Sequence, residues 1–260
     1  MKHLIALSGI LLLSTHSLAA ASSGNEGPEG YRLELSATLW RLNSNGGINA
    51  DGSPINFLTD LGVSQRQRIY DGRLTWKFKR KLRFVIEGTP ISIHGLSTTS
   101  HTVTYFDQQY SFNETLKSSA EISYIYAGLH RDFYNGRFGR FGTSIGAAYL
   151  GLSGNIDAQQ SGIDKRGHTP FGLPFGGIDF RLYPIPNRRW IALEGALRGL
   201  PAGAYGHWVE ATGGVGTFVG PVGFQLGYRE ILIDFHETGR NPNGLDVRFS
   251  GPMATVFWNW

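Results

Sequence analysis

The run Met253-Ala254-Thr255-Val256-Phe257-Trp258-Asn259-Trp260 alternates with a period of two. Ala254, Val256, Trp258 and Trp260 share one face of an extended strand, and Met253, Thr255, Phe257 and Asn259 share the other. Chain ends in water usually fray, and they seldom carry two exposed tryptophans. A strand that closes a barrel in lipid needs both features, because it turns apolar groups outward and anchors aromatics at the interface. The stretch therefore points to an all-β transmembrane barrel.

Working back from it, the same periodicity recurs through most of the chain. Strands are expected at about residues 31–42, 68–78, 82–95, 119–131, 137–155, 171–183, 189–200, 207–219, 222–234 and 245–260. Tyr31, Leu33, Leu35, Ala37 and Leu39 form an outward face in the first, and Tyr70, Leu74, Trp76 and Phe78 in the second. In the fourth, Ile122, Tyr124 and Tyr126 are expected outward, with Glu121 and Ser123 inward. The connections alternate between short ones (79–81, 134–136, 184–188, 220–221) and long ones (43–67, 96–118, 156–170, 235–244), except for a brief joint near Tyr205 where a long one is due. Tight turns at one end and long loops at the other are the outer-membrane pattern. The expected fold is an antiparallel up-and-down barrel of ten strands over residues 31–260, eight or twelve being the alternatives. The first strand should pair with the last.

Pro90, Pro174 and Pro252 fall inside these strands, where a missing N–H calls for bulges. A bulge at Gly251-Pro252 would put Val247 and Phe249 outward together with Val256. A soluble lipocalin-like barrel would show the same alternation inside out, so periodicity alone leaves it open. The amino-terminal sequence favours export: Met1 to His3 are basic, Leu4 to Leu13 apolar and Ser17 to Ala21 small. Residues 1–20 read as a signal peptide and 21–30 as a polar leader, since an apolar run of about ten residues is too short for a helical span. Their removal takes away Lys2 and no acid. The absence of cysteine excludes disulfides, thiol catalysis and a lipid anchor on cysteine. Thirty-six glycines among 260 residues, roughly twice the usual share, suit tightly curved strands.

The polar parity gathers charges that a barrel would turn inward. The expected lumen set is Arg32, Glu34, Asp71, Arg73, Lys77, Arg83, Glu87, Glu121, Arg140, Asp179, Arg181, Glu194, Arg198, Glu210, Arg229, Asp246 and Arg248. The two signs nearly balance, and charges in a narrow low-dielectric space should pair. About eight strands leave a filled interior and about sixteen an open channel, so the expected lumen is charge-paired and plugged. Trp76, Phe78, Trp190, Trp258 and Trp260 are the expected interface anchors. In the loops, residues 55–63 form an apolar segment suited to a short helix over the mouth, and 101–112 a small aromatic hairpin.

Catalytic patterns are sparse. Asp234-Phe235-His236 puts a carboxylate and an imidazole on one strand face, as general-base chemistry requires. It resembles the Asp-x-His half of the omptin proteases, but no Asp-x-Asp accompanies it. Ser92-Ile93-His94 is similar, in reversed order, to the His-x-Ser pair of outer-membrane lipid A deacylases, with no third residue or oxyanion site evident. The histidines at 101, 168, 207 and 236 lack metal-ligand spacing. No metal, cofactor or nucleic acid is expected.

The terminal run resembles the C-terminal recognition signal of bacterial outer-membrane barrels, which implies the barrel-assembly machinery as a partner. The layout as a whole resembles small, functionally uncharacterised outer-membrane barrel proteins of Gram-negative bacteria. Asp60-Leu61-Gly62 after the first strand, the aromatic second-loop hairpin and Gly251-Pro252 carry that likeness. It implies a monomeric outer-membrane barrel in contact with lipid and lipopolysaccharide, with a structural or ligand-contacting role. A narrow or gated porin-like channel is the first alternative, and a hydrolase of lipid A or peptides the second.

Overall fold

The computed structural model describes residues 28–50, 53–56, 66–98, 103–105, 108–110, 115–158, 163–201, 206–236 and 244–260. The expected signal peptide, most of the leader, His101 and residues 57–63 lie outside them. Ten strands form the wall: β1 (Leu33–Ala50), β3 (Arg66–Lys79), β4 (Leu82–Thr98), β7 (Thr115–Gly136), β8 (Gly139–Ala158), β9 (Ile163–Leu182), β10 (Ala192–Pro201), β11 (Gly206–Val219), β12 (Val222–His236) and β13 (Gly244–Asn259). Each pairs antiparallel with its neighbours in chain order, and β13 returns to β1. The barrel is closed, with Leu35 opposite Trp258 and Ala37 opposite Val256.

Three short strands lie in the long connections. β2 (Ser53–Asn56) folds back on the end of β1, pairing Ile55 with Ile48. Ile55 and Asn56 are therefore strand, where the sequence suggested a helix. β5 (Val103–Tyr105) and β6 (Gln108–Tyr110) form the expected small hairpin. Both chain ends of the barrel and four short turns gather at one end, here the turn end, and the long connections, with the brief one between β10 and β11, at the other, the loop end.

The outer face carries an apolar belt. Leu35, Leu39, Tyr70, Leu74, Phe84, Ile86, Ile125, Leu129, Ile145, Leu226 and Val256 are all exposed. Covering these groups with hydrocarbon while the polar parity stays inside is the geometry of a transmembrane barrel, the reverse of a soluble one. Trp76, Phe78, Trp190, Trp258 and Trp260 stand exposed at the turn end, where an aromatic girdle belongs.

Register corrects two sequence expectations. Strand β13 keeps one parity throughout: Val247, Phe249, Thr255 and Phe257 are buried inside, while Arg248, Pro252, Val256 and Trp258 face out. There is no bulge at Gly251-Pro252, and Val247 and Phe249 do not see lipid. The ladder to β1 is instead interrupted there, between Trp40–Met253 and Asn43–Ser250. Pro90 sits two residues past the end of the β3–β4 ladder at Gly88, and Pro174 two past the end of the β9–β10 ladder at Gly176. Each proline thus lies where a neighbour's hydrogen bond is already missing, so its absent N–H costs little. Among the described residues the register shifts lie elsewhere, at Lys77/Lys79 and Asp132/Tyr134 beside turns.

The second correction is β7, which turns Tyr124, Tyr126, His130 and Asp132 inward and Glu121, Ile125 and Leu129 outward. Part of the glycine excess has a packing reason in the lumen. A Cβ on Gly128 would fall 2.0 Å from the Tyr126 hydroxyl, and one on Gly223 2.4 Å from the Phe218 ring. Glycine lets these rings lie flat against the wall, as designed barrels do deliberately.

Candidate functional site

The lumen is the part of the molecule where side-chain chemistry concentrates, and it is layered. At the turn end Tyr183, Ala192, Phe218 and Phe257 form an aromatic floor. Above it lies a first charge cluster. Arg181, fully buried, spends both edges of its guanidinium: Nη1 and Nη2 donate to Glu34 (2.6 and 3.1 Å), while Nε and Nη2 donate to Glu194 (3.0 Å each). Its plane lies 4.9 Å from the Phe257 ring centre. Paired forks of this kind fix geometry as well as charge. Arg83 donates to Asp132 (2.9 Å) and Asp179 (2.7 Å), Arg140 donates to Asp179, and His130 Nδ1 meets the same carboxylate at 2.8 Å.

Glu29 enters this cluster from before the first strand. Its carboxylate accepts from Tyr183 Oη (2.6 Å) and Arg140 Nε (3.1 Å), and Lys77 Nζ donates to its carbonyl. Burial by itself would raise the Glu29 carboxyl. Lys77, Arg181 and Arg140 outweigh that and hold it well below the usual carboxylate range.

A second cluster lies nearer mid-barrel, with three arginines against three carboxylates. Glu87 accepts from Arg73 (3.0 Å), Arg198 (2.8 Å) and Arg229 (3.0 Å). Arg198 also grips Glu210 through Nε and Nη2 at 2.8 and 3.0 Å, and Arg229 reaches Asp71 at 2.8 Å. Tyr124 Oη donates to Glu210 at 3.1 Å. Most of these contacts join strands that are not neighbours, β4 with β10, β12 with β3 and β9 with β1, so they cross the bore.

Toward the loop end the inward parity becomes apolar. Trp40, Leu42, Ile69, Ile91, Leu150, Phe175, Trp208, Ile231, Ile233, Val247 and Phe249 pack into one cluster over the second charge layer. Tyr124 stacks on Trp208 at 5.7 Å, and Arg229 lies 5.0 Å from the Trp40 ring, which joins the two layers.

Of the seventeen lumen charges expected from the sequence, thirteen line the lumen and four do not. Arg32 is exposed because the parity slips just before β1, which turns Tyr31 inward instead. Glu121 points outward with the inverted parity of β7. Asp246 and Arg248 lie on the outer face of β13, and Arg248 pairs there with Glu230 at 2.7 Å. Sequence reasoning missed Glu29, His130 and Asp132. The last two share the parity of Tyr124 and Tyr126, so a correct face for β7 would have found them.

The catalytic candidates stand apart from this network. Ser92 is exposed on the outward parity of β4, and the His94 backbone pairs with Ser119. Asp234 and His236 are half exposed on the outer face of β12, 3.5 Å apart, with His207 3.9 Å from Asp234 on the other side. Among the described residues no group of three such side chains is set to hold a metal ion.

No protein-family model and no curated protein matches the chain. Solved structures do. The outer membrane protease OmpT from Escherichia coli matches with a TM-score of 0.53 at 10% identity, over 88% of this chain and 97% of that one. The outer membrane protein OprG from Pseudomonas aeruginosa gives 0.39 at 9% identity, over 91% and 99%. Ail of Yersinia pestis gives 0.38 at 9%, over 87% and 99%. At these identities the likeness to OmpT speaks for the fold, a closed barrel of the outer-membrane type.

Proposed function

We propose that the chain is an integral outer-membrane barrel whose lumen is closed, serving a structural or surface-contacting role. The observation that carries this reading is the layered bore: two ion-pair clusters that cross it, an aromatic floor below and an apolar layer above. Water and ions crossing such a lumen would have to break several buried pairs at once, each break costing about 3–5 kcal/mol. In this reading the turn end faces the periplasm and the loop end the exterior. The channel alternative would need a continuous polar path, and the cluster from Trp40 to Phe249 lies across it. The hydrolase alternative rests on Ser92 with His94 and on Asp234 with His236; Ser92, Asp234 and His236 lie on outward parities, away from the lumen charges.

Two experiments test the proposal. The membrane reading expects the mature protein to need detergent and to shift in mobility on heating before electrophoresis; a soluble, unshifted protein would sink it. The closed-lumen reading expects liposomes carrying the refolded protein not to swell in isosmotic arabinose, and swelling above that of empty liposomes would count against it.

A further inference from the structure

The outer face of the barrel carries an arrangement that the fold does not explain. Arg41 on β1 lies directly opposite Arg68 on β3, and both side chains are exposed on the outward face. Directly opposed residues bring their Cβ atoms to about 5 Å, where like charges destabilise a sheet. The next outward pair toward the loop end is Asn43 and Arg66, and Arg66 is engaged in a contact of its own. No carboxylate occupies the outward face of either strand: β1 presents Leu33, Leu35, Ala37, Leu39, Arg41, Asn43 and Asn45, and β3 presents Arg66, Arg68, Tyr70, Gly72, Leu74, Trp76 and Phe78. The acids of β1 and β3, Glu34 and Asp71, point into the lumen and are occupied there.

The height of the pair is informative. Leu39 faces Tyr70 one outward step below, and these are the last apolar groups of the belt on both strands. From Phe78 to Tyr70 the belt on β3 is nine residues long, close to the 9–11 that cross a bilayer. The arginines therefore stand at the top of the hydrocarbon layer on the loop side, level with lipid headgroups.

We propose that Arg41 and Arg68 bind a phosphate of an outer-leaflet phosphoglycolipid headgroup of the lipid A class. An anion between two planar guanidiniums would turn their repulsion into paired charge-assisted hydrogen bonds. The acyl chains would run down over Leu39 and Tyr70, then Leu35 and Leu74, all exposed. The site rests on the outer-membrane reading given above.

The test uses native mass spectrometry of the refolded full-length barrel in detergent, with diphosphoryl lipid A as the probe. Wild type should retain the lipid, and Arg41→Gln/Arg68→Gln should weaken retention at least about tenfold. Dephosphorylated lipid A should bind wild type as poorly as the intact lipid binds the double variant. Lys79→Gln, at the opposite end of β3, should behave as wild type. Equal retention by wild type and the double variant would overturn the site, as would an equal loss in Lys79→Gln. Competition by millimolar inorganic phosphate as strong as by lipid A would replace the lipid with a free anion. The heat-dependent gel shift of the same samples separates the two levels of failure. A wild type without the shift contradicts the membrane reading, whereas shifted wild-type and variant barrels that ignore phosphorylation contradict this site alone.

Discussion

Glu87 is buried among three guanidiniums, so its charge balances groups from β3, β10 and β12 at once. Removing that charge takes away the carboxylate that Arg73, Arg198 and Arg229 share. Glu87→Gln should therefore cost about 3–5 kcal/mol, read as a lower urea midpoint for unfolding from detergent or bilayer, with the fold kept. A loss under about 1 kcal/mol would mean that the network relaxes or admits water. Glu29 gives a pH-dependent counterpart. Its folded carboxyl is held below the unfolded value of about 4.3, so its contribution is complete above that pH and is lost as pH falls through the folded value. Glu29→Gln should lower the thermal midpoint at neutral pH and flatten its decline on acidification. A variant whose acid decline matches wild type would show that the residue anchors nothing.

At the scale of elements, alternation identified the strands more securely than it identified their faces. Period two shows that a strand has two unlike sides and is silent about which one is inside. Through the belt the apolar side faces out, and β1 and β3 were legible for that reason. Above the belt the lumen itself becomes apolar and the outer face polar, so Val247 and Phe249 carry the letters of a lipid face while lining the core. Strand β7 misled differently, because tyrosine suits either face: the rings of Tyr124 and Tyr126 pack inside while their hydroxyls meet Glu210 and His130. Arginine substitution reads the face directly. Val256→Arg, within the belt, should cost about 2–4 kcal/mol in bilayer refolding, whereas Ser250→Arg, beside Arg248 near its upper edge, should cost about 0–1. Equal costs would contradict the continuous parity of β13.

For the whole molecule, closure, strand number and the pairing of β1 with β13 were all legible in the sequence. They follow from a local signal repeated ten times and from the alternation of short and long connections. What remained hidden is non-local. That Arg198 on β10 meets Glu87 on β4 depends on barrel shear and tilt, which no strand encodes alone. Glu29 was missed because a residue outside the periodic pattern gives no sign that it turns back into the bore. Together these contacts make the interior a layered core of paired charges and apolar groups. Single-channel recording of refolded wild-type protein in a planar bilayer tests this most directly. A closed lumen predicts a silent trace in concentrated salt at any moderate voltage, and reproducible unit conductance steps would contradict it.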